Sequence, residues 1–262
     1  MASYPNGPIC TRDSLAADLR DVGLKGGEVV LLHSSLRSLG WVCGGAEAVV
    51  LALLDVLGPE GTLVVPSQTR YNSDPASWKN SPVPEVWWPI IRAHTPPFDP
   101  CTSRPEGMGA IAEAVRTWPG AVRSAHPQTS FAAVGPRAKS LMDYHPLDCR
   151  LGERSPLARL EDAGAQVLLV GVGFDSCTAF HLAEYRIPLK LTQHSFAITT
   201  SEGRKWITVE DVAIDGDHLE DLGRDFASHH MLACSAISTA TTRLFPLAAA
   251  VAYAQKWLHE RQ

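Results

Sequence analysis

The stretch Ser176-Cys177-Thr178-Ala179-Phe180-His181-Leu182-Ala183-Glu184-Tyr185-Arg186 gathers a hydroxyl, a thiol, an imidazole and a carboxylate in a short span. It contains no Gly or Pro before Pro188, so it predicts a short helix with Ser176 or Thr178 as N-cap. On a helix His181 and Glu184 stand at i and i+3 and share a face, with Thr178 one turn earlier on the same stripe. An imidazole oriented by a carboxylate, with a hydroxyl beside it, is the minimum equipment for removing a proton with a held base. His-x-x-Glu by itself is equally at home on a solvated helix face, so its position in the fold decides.

Two other chemistries use the same residues. Cys177, four residues before His181, would serve as a nucleophile in a ping-pong transfer through an acyl-thioester. A nucleophile and its base on one short helix leave a bulky donor poor access, however, and Cys177 reads more readily as a small buried residue. His33, His126, His181 and Glu184 would supply ligands for a zinc hydrolase, yet the sequence has neither His-x-His nor His-Glu-x-x-His spacing. No metal is expected.

The elements that must position this stretch follow from the apolar pattern. Gln166-Val167-Leu168-Leu169-Val170, closed by Gly171-Val172-Gly173, predicts a buried strand whose C-terminal end delivers the stretch where α/β folds place ligands. Glu28 to Leu32 predicts another, running into a polar turn at His33-Ser34-Ser35-Leu36-Arg37-Ser38-Leu39-Gly40. Gly44-Gly45 opens a helix, Ala46 to Leu57, whose free N–H groups suit a phosphate as well as a plain turn. An amphipathic helix over Thr11 to Val22 precedes this unit, and a strand from Gly61 to Pro66 follows, giving a parallel βαβ pattern. Residues 66–105 are rich in Pro and Trp and predict a long ordered loop over a cleft, in which Asp74 and Asp99 are candidate partners for a cation.

Further along, Ala110 to Thr117 predicts a helix. Ala121 to Gly135 predicts a polar loop with Arg123 and several hydroxyls, suited to a phosphate or to solvent, and then a short strand. Pro136 to Asp143 predicts a helix, and Ser155-Pro156 begins the next. Two strands around Ser201-Glu202-Gly203-Arg204 predict a hairpin. The acidic run Glu210 to Asp225 reads as a solvated helix face, with attraction of a polycation as the sharper alternative. Pro246 to Glu260 predicts a closing helix.

Composition narrows the function classes. The 262 residues are 45% hydrophobic and 19% charged with a net charge of -5, which fits a globular domain and argues against a nucleic-acid partner. No apolar run approaches a membrane span, and Met1 to Thr11 has no apolar signal core. The six cysteines form no Cys-x-x-Cys pair, so reduced thiols in a cytoplasmic protein are expected. Oligomeric state is not legible.

Four blocks, taken in order, resemble the aminoglycoside 3-N-acetyltransferase family. They are His33 to Gly40 with Gly44-Gly45; Arg116 through Pro119-Gly120-Ala121 to Arg123-Ser124-Ala125-His126-Pro127 with Ser130-Phe131-Ala132-Ala133; Gly152-Glu153-Arg154-Ser155-Pro156-Leu157; and Gly171-Val172-Gly173 with Thr178 to Glu184. The resemblance implies one antibiotic N-acetyltransferase domain over 1–262. Its expected fold is α/β, a mixed, partly parallel central sheet flanked by helices with a C-terminal hairpin and helix. That fold is distinct from the larger acetyltransferase superfamily with its Gln/Arg-x-x-Gly-x-Gly/Ala motif.

The resemblance also implies acetyl-CoA as donor and the 3-amino group of the 2-deoxystreptamine ring of an aminoglycoside antibiotic as acceptor, and hence resistance. It places the base at His181, the orienting carboxylate at Glu184, and Thr178 beside the thioester carbonyl. It sets the cofactor along Ser34, Ser35, Leu36, Gly44 and Gly45, with Val122, Arg123, Ser124, Ser130 and Phe131 at its far end. His33 either packs beneath the cofactor or touches the reacting centre. Asp74, Asp99 and Glu184 are the candidate contacts to the cationic acceptor. A different amine as acceptor, or a binder of coenzyme A or antibiotic without catalysis, are the competing readings.

Overall fold

The computed structural model describes residues 8–79, 82–188 and 190–261. Strand β1 (Val29–Ser34) lies at its centre, pairing in parallel with β2 (Thr62–Pro66) on one side and β5 (Gln166–Val170) on the other. β4 (Phe131–Val134) and β3 (Val122–Arg123) extend the sheet antiparallel beyond β2, while β9 (Ala240–Pro246) and β8 (Ala233–Ile237) extend it antiparallel beyond β5. The result is a mixed seven-stranded sheet of order β3-β4-β2-β1-β5-β9-β8.

Alternation along the strands divides the core between the two faces. Val30 and Leu32 of β1 pack with α1 (Arg12–Asp21), α2 (Gly45–Leu57) and α4 (Gly109–Arg116). Val29 and Leu31 join the opposite layer, with α5 (Ala138–Met142), α6 (Pro156–Asp162), α7 (Phe180–Glu184), α8 (Leu219–His229) and α9 (Leu247–His259). The crossover from β1 to β2 uses α2 on one face, and α6 precedes β5 on the other. A crevice therefore opens at the C-terminal ends of β1 and β5, the switch point of an α/β sheet. The mixed sheet flanked by helices is the expected architecture.

Several local expectations are corrected. β1 runs through Ser34, so His33 and Ser34 belong to the ladder, opposite Leu169 and Val170, rather than to the turn. Phe174–Ser176 is a 3-10 turn and α7 begins at Phe180, so Thr178 precedes the helix. The hairpin is longer than its apolar residues suggest, with β6 (Leu191–Thr200) and β7 (Gly203–Val212) forming a separate two-stranded sheet. Its end takes up Glu210 and Asp211, and Asp211 is buried, so the acidic run is not one solvated helix. β8 and β9 lie where the pattern predicted no strand.

The loop over 66–105 holds 3-10 turns at Pro75–Ser77 and Glu85–Trp87 and the helix α3 (Trp88–His94). Among the described residues no helix is long and apolar enough to cross a membrane.

Candidate active site

A five-residue helix such as α7 has no stability of its own in water. Packing makes it: Phe180 sits against Phe174 and Phe226, each with ring centroids 6.3 Å away, and Leu182 and Ala183 are fully buried. Below it, Glu220 of α8 accepts from the backbone N–H groups of Phe174 (2.8 Å) and Asp175 (3.3 Å). Gly223 leaves the room Phe174 needs, since a Cβ there would fall 2.0 Å from its ring. Beyond its C-terminus, Arg186 is held by Glu153 (2.6 Å) and Glu161 (2.5 Å). Buttressed on all these sides, α7 presents one polar side chain to the crevice, His181.

His181 Nδ1 lies 2.5 Å from Glu184 Oε2. Glu184 is 4% exposed, and its Oε1 accepts the backbone N–H of Asp215 at 2.8 Å. A carboxylate so buried is tolerated because both oxygens are satisfied. Nδ1 thus carries the proton shared with Glu184, and Nε2 keeps a free lone pair. From β1, His33, 5% exposed, places Nε2 3.3 Å from Thr178 Oγ1. Burial, reinforced by the neighbouring His181, pushes the His33 pKa down to about 3.

These groups share a cleft of about 660 Å³. His33, Ser34, Thr178 and His181 line it from the sheet side, Asp74 and Ser77 from the 66–105 loop, and Arg150 and His194 from the hairpin side. Glu184 stands behind His181. Asp74 accepts two hydrogen bonds from Arg92, at 2.9 and 2.8 Å, so its charge is already shared. Asp99 is exposed and caps the Cys101–Thr102 turn through their N–H groups, and it does not line the cleft.

The other sequence-predicted contacts are spent on the protein itself. Ser35 accepts from Ser38 N–H to start the 3-10 turn Leu36–Leu39, and Leu36 packs on the α1–α2 core layer. Gly44 caps α2 with φ 84°. None of these, nor Gly45, lines the cleft.

Arg123 donates to Ser130 Oγ and to the carbonyls of Ser67, Pro100 and Ser103. Ser124 receives Phe131 N–H and meets His145 Nδ1, while Phe131 is fully buried and Val122 sits in β3. That block braces the loop to the sheet.

The competing chemistries fare as follows. Cys177 is fully buried in the α7 core layer, where burial pushes its pKa up to about 12. His126 does not converge with His33 and His181: its Nδ1 accepts from Gln128 and Thr129 N–H, and its ring stacks on His145. Among the described residues no group of three or more His, Cys, Asp or Glu is arranged to hold a metal ion.

Sequence reasoning missed Gln68, Gln128, Arg150 and His194, all in the cleft wall. Arg150 is set by Asp211, which accepts from its backbone N–H at 2.8 Å, and by Val212 O, which its guanidinium meets at 2.9 Å. Burial and then Arg150 push the His194 pKa down to about 4. The motif Gly152-Glu153-Arg154, two residues beyond Arg150, was the available signal.

An imidazole–carboxylate pair at the switch point of a mixed sheet, facing a cleft of about 660 Å³, is an arrangement suited to taking a proton from a bound substrate. Residues 31–259 match the aminoglycoside 3-N-acetyltransferase family, and the chain belongs to that acyltransferase family. It is 44% identical to the SPbeta prophage-derived aminoglycoside N(3')-acetyltransferase-like protein YokD of Bacillus subtilis, covering 94% of this chain and 92% of that one. The crystal structure of YokD superposes with a TM-score of 0.94 at 42% identity, over 99% of this chain and 95% of that one. Aminoglycoside N(3)-acetyltransferase IX of Micromonospora chalcea is 36% identical over 87% of this chain and 76% of its own length. A structure described as AAC-IIIb binary with CoASH matches with a TM-score of 0.86 at 31% identity, over 97% and 98% of the two chains.

Proposed function

We propose that this protein moves the acetyl group of acetyl-CoA directly to the 3-amino group of the 2-deoxystreptamine ring of an aminoglycoside, conferring resistance. The observation that carries the reading is the His181–Glu184 contact of 2.5 Å, with Glu184 itself tied to Asp215 N–H. Such an amine is mostly an ammonium at neutral pH and attacks a thioester only after losing a proton. His181 Nε2 takes that proton, and Glu184 fixes the tautomer and stabilises the imidazolium.

The amine nitrogen then bonds to the thioester carbon, and the carbonyl oxygen gains negative charge. The Thr178 hydroxyl donates to that oxyanion. The attacking nitrogen, cationic in that adduct, gives up its second proton to solvent, and as the C–S bond breaks the thiolate leaves with the electron pair and recovers the first proton from His181, so that the neutral amide and the free thiol remain. Ser34 lies beside the path of the donor, and Asp74 meets the acceptor from the opposite wall. Cys177, buried and held as the thiol, supports direct transfer over the ping-pong alternative. The chain works as one domain in the cytoplasm without a metal.

The test is coenzyme A release from acetyl-CoA with gentamicin- and kanamycin-type acceptors, comparing the native protein with His181→Ala. Turnover that the variant loses while still binding acetyl-CoA is the expected result. Equal turnover by both proteins removes His181 from the mechanism. No turnover of any aminoglycoside by the native protein, with donor binding intact, moves the acceptor to another class of amine.

A further inference from the structure

Two imidazoles, His33 and His181, face the same cleft from its sheet side, and the mechanism above uses only one. We infer that His33 is a positioning residue: it donates from Nε2 to the Thr178 hydroxyl oxygen and thereby turns the hydroxyl hydrogen toward the reacting carbonyl. The inference rests on the reading of Thr178 as the oxyanion donor.

The geometry is specific. His33 is locked in β1 opposite Leu169 and is 5% exposed, so its ring has one place to be. Thr178 is fixed between the 3-10 turn Phe174–Ser176 and α7, with its carbonyl accepting His181 N–H at 3.2 Å. The contact is His33 Nε2 to Thr178 Oγ1, 3.3 Å. A neutral imidazole has one donor nitrogen and one acceptor, and a hydroxyl has one hydrogen to give. If Thr178 gave that hydrogen to His33, only oxygen lone pairs would face the cleft, and they would repel the forming oxyanion. With the hydrogen on His33 Nε2, Thr178 accepts there and its own O–H is left for the carbonyl oxygen. Donor and acceptor then polarise one another along a single chain.

Burial and then the adjacent His181 push the His33 pKa down to about 3, so the ring is uncharged at neutral pH. The two rings therefore do not compete: the proton from the acceptor goes to His181, and His33 keeps a fixed hydrogen. Depth in the protein, rather than residue type, assigns their roles.

The test is a double-mutant cycle between His33→Leu and Thr178→Val, read as kcat at saturating substrates together with the Kd for coenzyme A. His33→Leu is expected to lower kcat about 10- to 100-fold and leave the Kd within a few-fold of native. In a Thr178→Val background, already slow, it is expected to cost nothing further. His33→Gln, whose amide reaches the Nε2 position, is expected to keep most of the activity, and His33→Asn, whose amide does not, is expected to lose it. The Gln/Asn pair carries the test without an apolar replacement in the site.

Losses that add fully in the double variant overturn the inference. So do equal activities of the Gln and Asn variants, or a weaker Kd with kcat preserved, which would make His33 part of the cofactor seat. Full kcat in Thr178→Val overturns the inference and also removes Thr178 from the proposed mechanism. His181→Ala tests the base independently of both.

Discussion

Gly152 lies against the ring of Tyr185: a Cβ on Gly152 would come within 2.2 Å of Cδ1. Tyr185 directly follows Glu184, and its hydroxyl donates to the buried Asp211 at 2.8 Å. Gly152 is thus a spacer that lets the end of α7 settle. Gly152→Ala is expected to destabilise the fold by about 1–3 kcal/mol through overpacking. It is also expected to lower kcat more than donor affinity, because the His181–Glu184 pair moves with the ring. Urea unfolding and steady-state kinetics on the same preparation check both parts.

Glu184→Gln keeps the shape of the side chain and removes its charge. The amide no longer stabilises an imidazolium at His181, and its NH₂ can hold the wrong tautomer. We expect kcat to fall roughly 10²-fold or more, by analogy with carboxylates that orient a catalytic histidine, with coenzyme A binding unchanged. Rapid-quench measurement of a single turnover distinguishes slowed transfer from slowed product release. A native rate in that experiment would show that Glu184 only packs.

Cys177→Ala removes a fully buried sulfur from the layer under α7. The expected cost is about 1 kcal/mol of stability, with kcat within a few-fold of native. Intact-mass spectrometry of native enzyme mixed with acetyl-CoA alone should show no acetylated protein. A mass gain of one acetyl group, absent from the variant, would reinstate the ping-pong route.

Stability should weaken on mild acidification. Burial holds His33 and His145 down to about 3 and His126 well below its ordinary 6.5, so all three are neutral when folded. The unfolded chain binds those protons near pH 6.5 and the native state does not. The stabilisation is therefore complete above about pH 6.5 and is lost progressively as pH falls toward 3, by up to ~1.4 kcal/mol per pH unit for each histidine. Urea midpoints at pH 7.5 and pH 5.0 test this, and the lower midpoint is expected at pH 5.0. A flat response would show that these rings are charged in the native state.

The sequence made the His181–Glu184 contact legible because its signal is local: i, i+3 spacing fixes which side chains share a helical turn. β1 and β5 were legible because continuous apolar runs leave few alternatives for a buried strand. The edge strands were not. Ala233 to Ile237 is mostly exposed and built from small residues, and β9 interleaves Thr and Arg with its apolar positions, so neither shows a clean alternation.

Arg123 shows what the sequence could not separate. An arginine that gathers loop carbonyls and one that gathers phosphate oxygens need the same loop chemistry, and only the fold distinguishes them. The far wall of the cleft was invisible because its contacts are long-range. Asn72 exchanges both of its amide hydrogen bonds with the backbone of Ala197, 125 residues away.

That exchange has an evolutionary consequence. Asn72 and Phe98 both attach to Ala197, so the 66–105 loop is tied to the hairpin near each of its ends. The stretch between those anchors includes the 3-10 turn at Pro75–Ser77, one edge of the cleft, and α3, and belongs to neither face of the central sheet. Substitutions or changes of length there can remodel what the enzyme admits without disturbing the layer that holds His181. A lineage facing new antibiotics could therefore diversify its acceptors at this rim while the chemical step beneath is inherited unchanged.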